Sequence, residues 1–298
     1  MTRILPRVLP WSPSAKENRR GETTAPRTLG RRDTTALIEL LDRDPVVNIF
    51  TRSQVSLHRS AVPDGFAHIV GLDGNEGLNA ACWMGANVAP TAMTEDQAQK
   101  VAVHALDSRQ RFASVFGPAQ SVLAMHDVLR QGPQSIFDVR ENQPLLTISK
   151  LPEGVERNPI RAAKIHEFDL VLPASAAMFE EELGYSPLEN GGSFYRNRVR
   201  QLIRDGHTVI DCDDHGEVIF KADLGTVTNE VVQIQGVWVN PRYRGLGLAS
   251  GYMSSTVQYA LGFAPLVSLY VNDFNVPALK TYQRIGFEQV GTFATILF

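Results

Sequence analysis

The sequence predicts an α/β protein, with helices on the faces of mixed sheets, in two successive units. Three observations predict it. Short β-branched runs alternate with amphipathic helical stretches along most of the chain, which is the pattern of sheets covered by helices. A proline-punctuated extended run, DVRENQPLLTISKLPEGVERNP, divides the chain near its middle. After that division the elements run strand, two helices, three strands, helix, strand, helix, strand. This order implies a mixed sheet and excludes a repeating strand–helix barrel or a doubly wound nucleotide fold.

Composition narrows the class. At 298 residues there is room for about two domains at ~150 residues each. Hydrophobic residues make up 43% and charged residues 20%, as in ordinary soluble domains. A net charge of −3 gives no drive toward nucleic acid or an anionic membrane, and no run approaches the ~20 apolar residues of a membrane span. Cys82 and Cys212 are the two cysteines. Without a CxxC they weigh against a disulfide framework or zinc knuckle and fit a reducing, cytoplasmic setting. The seven histidines are scattered without an HxxxH pair, so no metal site is expected. The sequence carries no signal for an oligomeric state.

Residues 1–27 are rich in proline and arginine and are expected to form a disordered tail. The pairs Arg19-Arg20 and Arg31-Arg32 invite a targeting reading, but no apolar core segment follows them. The N-terminal unit is expected over 28–151. Asp33 reads as the N-cap of TTALIELLDRD, which Asp44-Pro45 ends. A short helix in VVNIFTRSQVSLH follows. FAHIVGLD and GLNAACWMGANVAPT, around Asp73-Gly74, read as a hairpin of two strands. Glu95 to Arg111 is an amphipathic helix. FASVF, a Gly117-Pro118 break and a further helix come next, and QPLLTIS is a strand.

The second unit is expected over 152–298. It opens with the short strand PIRAA. A helical region from Ile165 to Leu183 is interrupted at Pro173, with Ser175 capping its second part and Gly184 closing it. A helix from Gly191 to Asp205 places Phe194, Val199, Leu202 and Ile203 on its apolar side. HTVIDCDD and EVIFKADLGTV form a hairpin around His215-Gly216, and EQVGTFATILF ends the unit.

The chemistry is concentrated in Val231 to Phe287. VVQIQGVWV is a β-branched strand. It runs into a loop bearing Arg242, Arg244, Gly245, Leu246 and Gly247, and then into a helix through Leu248, Ala249 and Ser250. Glycines let backbone N–H groups approach a ligand, the helix N-terminus adds unpaired N–H groups, and the arginines add charge. Together they describe a pyrophosphate cradle, though neither a Walker loop nor GxGxxG is present. A second strand, LVSLYV, leads to Asn275 at a helix start. Tyr282 lies seven residues on, two helical turns away on the same face. Taken alone, the first motif also suits a plain strand-to-helix turn, and Tyr282 also suits a core aromatic.

The second unit resembles the GNAT superfamily of acyl-coenzyme A N-acyltransferases. Pro241, Arg242-x-x-Gly245-x-Gly247 and Ala249 resemble its pyrophosphate motif. LYV, Asn275, Ala278, Tyr282 and Gly286-Phe287 resemble the motif that follows. The resemblance covers about Asn158 to Phe298. The whole chain is similar to an actinobacterial-type family in which an N-terminal domain of unknown function precedes a GNAT domain. The N-terminal unit would then be a degenerate GNAT-like half, without the RxxGxG, in a tandem arrangement similar in outline to mycothiol synthase.

The resemblance implies acetyl-coenzyme A as co-substrate, an amine of a small molecule or peptide as acceptor, and direct attack in a ternary complex. By position, Val237, Trp238 and Val239 lie on the strand that borders the pantetheine arm, with the bonds made by the backbone of Val237 and Val239. A backbone N–H near Val237 polarises the thioester carbonyl. Residues 242–250 hold the pyrophosphate, Asn275 contacts the pantetheine or the start of the helix, and Tyr282 is the general acid. Relatives often carry a carboxylate or histidine on the first strand, where this chain has Gln233 and Gln235. Glu230 is the candidate base, with Glu180 to Glu182 or a water chain through Gln235 as alternatives. Gln233, Gln235 and Glu181 are candidate acceptor contacts, as are Lys221 and Asp223. Two alternatives stand beside this reading: a non-catalytic coenzyme A-binding or interaction protein and, within the enzymes, an acetyltransferase of the mycothiol synthase kind.

Overall fold

The computed structural model of the chain describes residues 25–298. Most of the expected tail, and the Arg19-Arg20 signal, lie outside these residues. In chain order the elements are β1 (Arg27–Thr28), α1 (Thr34–Leu41), α2 (Ile49–His58), β2 (His68–Gly74), β3 (Gly77–Met84), β4 (Asn87–Thr91), α3 (Glu95–Asp107), β5 (Ser114–Pro118), α4 (Ala119–Leu129) and β6 (Asp138–Ile148). They continue with β7 (Arg161–Ala162), α5 (Phe168–Leu183), α6 (Ser193–Arg204), β8 (Thr208–Cys212), β9 (Val218–Val227), β10 (Val231–Val239), α7 (Leu248–Ala260), β11 (Leu266–Tyr270), α8 (Val276–Arg284) and β12 (Glu288–Leu297). They fall into two compact units. One takes the described residues up to Leu40, His58–Leu146 and Gln289–Phe298; the other takes Leu41–Leu57 and Thr147–Glu288.

In the first unit the strand order is β1-β2-β3-β4-β5-β12-β6. Arg27, counted with the tail by composition, belongs to β1. Its guanidinium bonds Asp73 at 2.6 Å and Asp33 at 2.9 Å, so Asp33 serves an ion pair as well as the backbone N–H of Gly30. The expected two-strand hairpin is three strands, because GLNAACWMGANVAPT divides at Gly85. A Cβ at Gly85 would stand 2.7 Å from the Trp83 indole nitrogen, so a side chain here would have to displace that ring. Helix α3 opens with a reciprocal cap between Thr94 and Gln97. Ala98, Val101 and Ala105 of α3 meet Val122 and Met125 of α4 in a core with Val70, Cys82 and Val115. The closing strand β12, which element order gives to the second unit, pairs antiparallel with β5 from Phe293↔Pro118 to Leu297↔Ser114. Its Ala294 and Ile296 are buried in this same core.

The second unit has the strand order β11-β10-β9-β8-β7. Alternation along β8 and β9 sorts its faces. Ile210 sits opposite Lys221, and Asp211 opposite Phe220. Ile210 packs with Phe168, Val171 and Leu172 of α5 and Val199 and Ile203 of α6. On the other face Phe220 stacks on Tyr252 of α7 at 4.6 Å between centroids. Two expectations change here. Helix α5 runs unbroken through Pro173, with Val171, Leu172, Ala174, Ser175 and Ala176 buried. Proline removes one backbone bond, and this buried face holds the turn regardless. Ser175 is therefore mid-helix, and its carbonyl accepts the Tyr195 hydroxyl at 2.6 Å. Phe194 lies in the first turn of α6 and is 86% exposed, while Val199, Leu202 and Ile203 are buried as expected.

Candidate functional site

The site is built around β10. On one side β10 pairs in parallel with β11 only from Val231↔Leu266 to Gln233↔Ser268. Both strands continue beyond that register, so a gap opens between them toward Val239 and Tyr270. On the other side β10 pairs with β9, and Gln235↔Asp223 is followed by Trp238↔Lys221. Two residues of β10, Gly236 and Val237, thus oppose one of β9: a β-bulge. Gly236 takes φ +58, which a side chain would strain. The bulge puts Gln235 and Trp238 on the same face, three residues apart.

Beneath the bulge lies a buried charged cluster. Lys221 is 1% and Asp223 6% exposed. The Lys221 ammonium donates to Asp223 Oδ2 at 2.5 Å and to the Gly236 carbonyl at 3.3 Å. The Thr208 hydroxyl donates to Asp223 Oδ1 at 2.8 Å. Buried charges are tolerated when paired and hydrogen-bonded, and every partner here is supplied by the hairpin or the bulge. Gln235 is exposed and lies over Gly225, where a Cβ would stand 1.9 Å from its amide carbon. Gln233 is 5% exposed, and its Nε2 has no hydrogen-bond partner.

At the end of β10, Asn240 caps a 3-10 turn at Pro241–Tyr243 by accepting the Arg242 N–H. Gly245 and Gly247 both take φ +78, and a Cβ on either would meet nothing within 4 Å. Gly247 is the N-cap of the thirteen-residue α7. The first N–H groups of a helix lack intrahelical acceptors. Residues 244–247 are exposed, and Leu248, Ala249 and Ser250 half-buried. The loop thus offers backbone donors, a helix dipole and open space, which fits a pyrophosphate. Its arginines are paired: Arg242 with Glu217, and Arg244 with Glu181 at 2.8 Å. Arg244 also donates to the Val239 carbonyl at 2.8 Å. Glu181 in turn accepts from the Trp238 indole at 3.2 Å, and Trp238 packs with Ala174 and Val218. Exposed pairs of this kind are weak.

Asn275 caps α8, accepting the Ala278 N–H at 3.3 Å. Tyr282 lies on α8, is 7% exposed and meets Phe287 edge-on at 5.8 Å. Burial, with the Glu182 charge adding to it, pushes the Tyr282 hydroxyl well above the ordinary phenol range. Glu230 is exposed at the other end of β10. Six residues of strand at ~3.3 Å each place it roughly 20 Å along β10 from the bulge. The structure therefore gathers residues 237–250 around one strand end and leaves Glu230 apart from them. Sequence reading named Lys221 and Asp223 only as acceptor contacts and passed over Thr208. Their i, i+2 spacing on a strand was visible, but the bulge that joins them to Gly236 depends on register. Among the described residues no group of three or more His, Cys, Asp or Glu is arranged to hold a metal, and no helix is long and apolar enough to cross a membrane.

Comparison with known proteins bears on the domains and the fold. Residues 175–287 match the model of the Acetyltransferase (GNAT) family, and residues 67–171 that of a Domain of unknown function (DUF4081). The class that the family match defines, over residues 175–287, is the GNAT acetyltransferase domain. This chain carries a GNAT N-acetyltransferase domain preceded by a DUF4081 domain. A GNAT-family acetyltransferase from Colwellia psychrerythraea shares its fold over 92% of this chain and 100% of its own, at 13% identity and a TM-score of 0.58. A GCN5-related N-acetyltransferase from Sphaerobacter thermophilus does so over 91% and 94%, at 15% identity and 0.58. A tandem GNAT protein from the clavulanic acid biosynthesis pathway does so over 91% and 97%, at 15% identity and 0.54. These similarities are of fold, and their extent includes the N-terminal half, as expected of a GNAT-like unit there. No curated protein matches the sequence.

Proposed function

We propose that this domain transfers an acetyl group from acetyl-coenzyme A to a primary amine of a small molecule or peptide. The observation that supports this best is the meeting, at one end of β10, of three features. They are a bulge at Gly236-Val237, a gap toward β11 and a glycine loop opening α7. Each suits one part of the co-substrate: the thioester carbonyl, the pantetheine arm and the pyrophosphate. Backbone N–H groups of residues 245–249 would bind the pyrophosphate, with Arg242 and Arg244 turning to it from their carboxylates. The backbone of Val237 and Val239 would bind pantetheine amides, and Asn275 would set the start of α8.

In the proposed reaction the amine attacks the thioester carbonyl directly, the C–S bond breaks, and Tyr282 gives its proton to the departing sulfur. A phenol, protonated at neutral pH, can donate in that role. The Val237 N–H is the donor for the carbonyl oxygen as it gains charge. The amine's proton leaves through water along Gln235, a route favoured by the ~20 Å of strand between Glu230 and the bulge. Gln233, Gln235 and Glu181 remain the acceptor contacts of this reading, and the cytoplasm the compartment that supplies the co-substrate.

The test is release of free thiol from acetyl-coenzyme A by the full chain across a panel of polyamines, amino acids, aminoglycosides and peptide N-termini. Turnover with at least one amine supports transfer. Tight coenzyme A binding with no turnover on any of them, unchanged in Tyr282→Phe, supports the non-catalytic reading instead.

A further inference from the structure

We propose that Lys221 is a positioning residue that aims the Val237 N–H into the acyl site by holding the other end of the same peptide. The inference rests on the proposed function and adds a residue to it. The Gly236 carbonyl and the Val237 N–H belong to one peptide group. The described chain has no cis peptide, and in a trans peptide C=O and N–H point in opposite directions. The Lys221 ammonium takes the carbonyl at 3.3 Å. The N–H is thereby turned away from Lys221. Lys221 is on β9, and β11 flanks the opposite edge of β10, where the pairing stops at Gln233↔Ser268. The proposal places the N–H on the side where the gap opens.

Three further features mark the arrangement as built. Lys221 is 1% exposed, so its charge is confined to this cluster, and Asp223, anchored by Thr208, fixes the ammonium from the other side. Gly236 allows the contact. A Cβ there would stand 2.9 Å from Asp223 Oδ2, 3.1 Å from Lys221 Nζ and 3.2 Å from Met178 Cε, at a φ of +58. A cation on the carbonyl also polarises the peptide and strengthens its N–H as a donor, since hydrogen bonds in series reinforce one another at low dielectric. An ordinary ladder bond to this carbonyl would supply neither full charge nor a bulge.

The test is the infrared carbonyl band of carbonyl-labelled acetyl-coenzyme A bound to the full chain. The variants are Lys221→Arg and the double variant Lys221→Met with Asp223→Asn. The double variant removes both charges and leaves Thr208 an acceptor, so it avoids stranding one buried ion. In the wild-type chain the thioester band is expected to shift below its free position. The double variant is expected to lose most of that shift while binding coenzyme A as tightly as wild type, and Lys221→Arg to retain it. An undiminished shift in a folded double variant overturns the proposal. Loss of the shift in Lys221→Arg as well as in the double variant, with coenzyme A affinity lost in both, also overturns it, because the pair would then only hold the fold. No bound band in the wild-type chain overturns the acyl-coenzyme A reading itself, and this inference with it.

Discussion

Replacing Gly247 separates the backbone contribution of the proposed cradle from its space. Gly247 has φ +78 and ψ 0 at the N-cap of α7. An L side chain in that left-handed conformation costs about 1–2 kcal/mol. A Cβ at Gly247 would meet no other atom of the chain within 4 Å, so Gly247→Ala is opposed by backbone strain and not by a clash. If the loop relaxes to escape that strain, coenzyme A binding must restore it. Affinity then falls about 5- to 30-fold, as 1.4 kcal/mol is tenfold. If the loop does not relax, the same 1–2 kcal/mol appears as lost stability. Gly247→Trp fills the open space and is expected to abolish binding while the chain stays folded. Calorimetric titration with coenzyme A, alongside thermal unfolding of each variant, measures both effects. Wild-type coenzyme A affinity in Gly247→Trp would refute the cradle.

Tyr282→Phe keeps the buried ring and its contact with Phe287, so coenzyme A affinity is expected to hold while kcat falls about a hundredfold, the lower end for loss of a general acid; thiol-release kinetics measure the split. Gly236→Ala adds left-handed strain to the three close contacts under the bulge and is expected to destabilise the domain by about 2 kcal/mol, read by chemical denaturation. Glu167 is held well below the usual carboxylate range, at about 2, chiefly by hydrogen bonding to the Arg161 guanidinium. Its folded value lies below the ordinary 4.5, so its contribution is present above that pH and is lost as pH falls toward 2. Solvent screens the half-exposed Arg161. Glu167→Gln is therefore expected to flatten the stability–pH profile modestly between those values and nowhere above, as followed by thermal melts.

The order of elements in the second unit was legible because its strands alternate and its helices carry caps. The helix starts on which the proposed donor site rests were equally legible, since Gly247 and Asn275 stand at the N-caps of α7 and α8. What escaped reading depends on register or on sterics between distant residues. GLNAACWMGANVAPT is nearly all apolar, so nothing in it marks Gly85 as a turn until Trp83 is seen across it. Pro173 reads as a break, yet the buried face around it holds α5 together. The Arg244–Glu181 pair joins residues 63 apart in sequence. The place of Glu230 relative to the bulge is a matter of strand length, which a sequence does not display. At ~3.3 Å per residue it stands roughly 20 Å from the bulge.

The central claim is that the end of β10 binds the acyl donor. A crystal structure of the full chain with coenzyme A tests it most directly. The expected result is pantetheine between β10 and β11, pyrophosphate on the backbone of residues 245–249, and the thiol beside Tyr282. Coenzyme A bound elsewhere, with the 245–249 loop and the gap untouched, would contradict it.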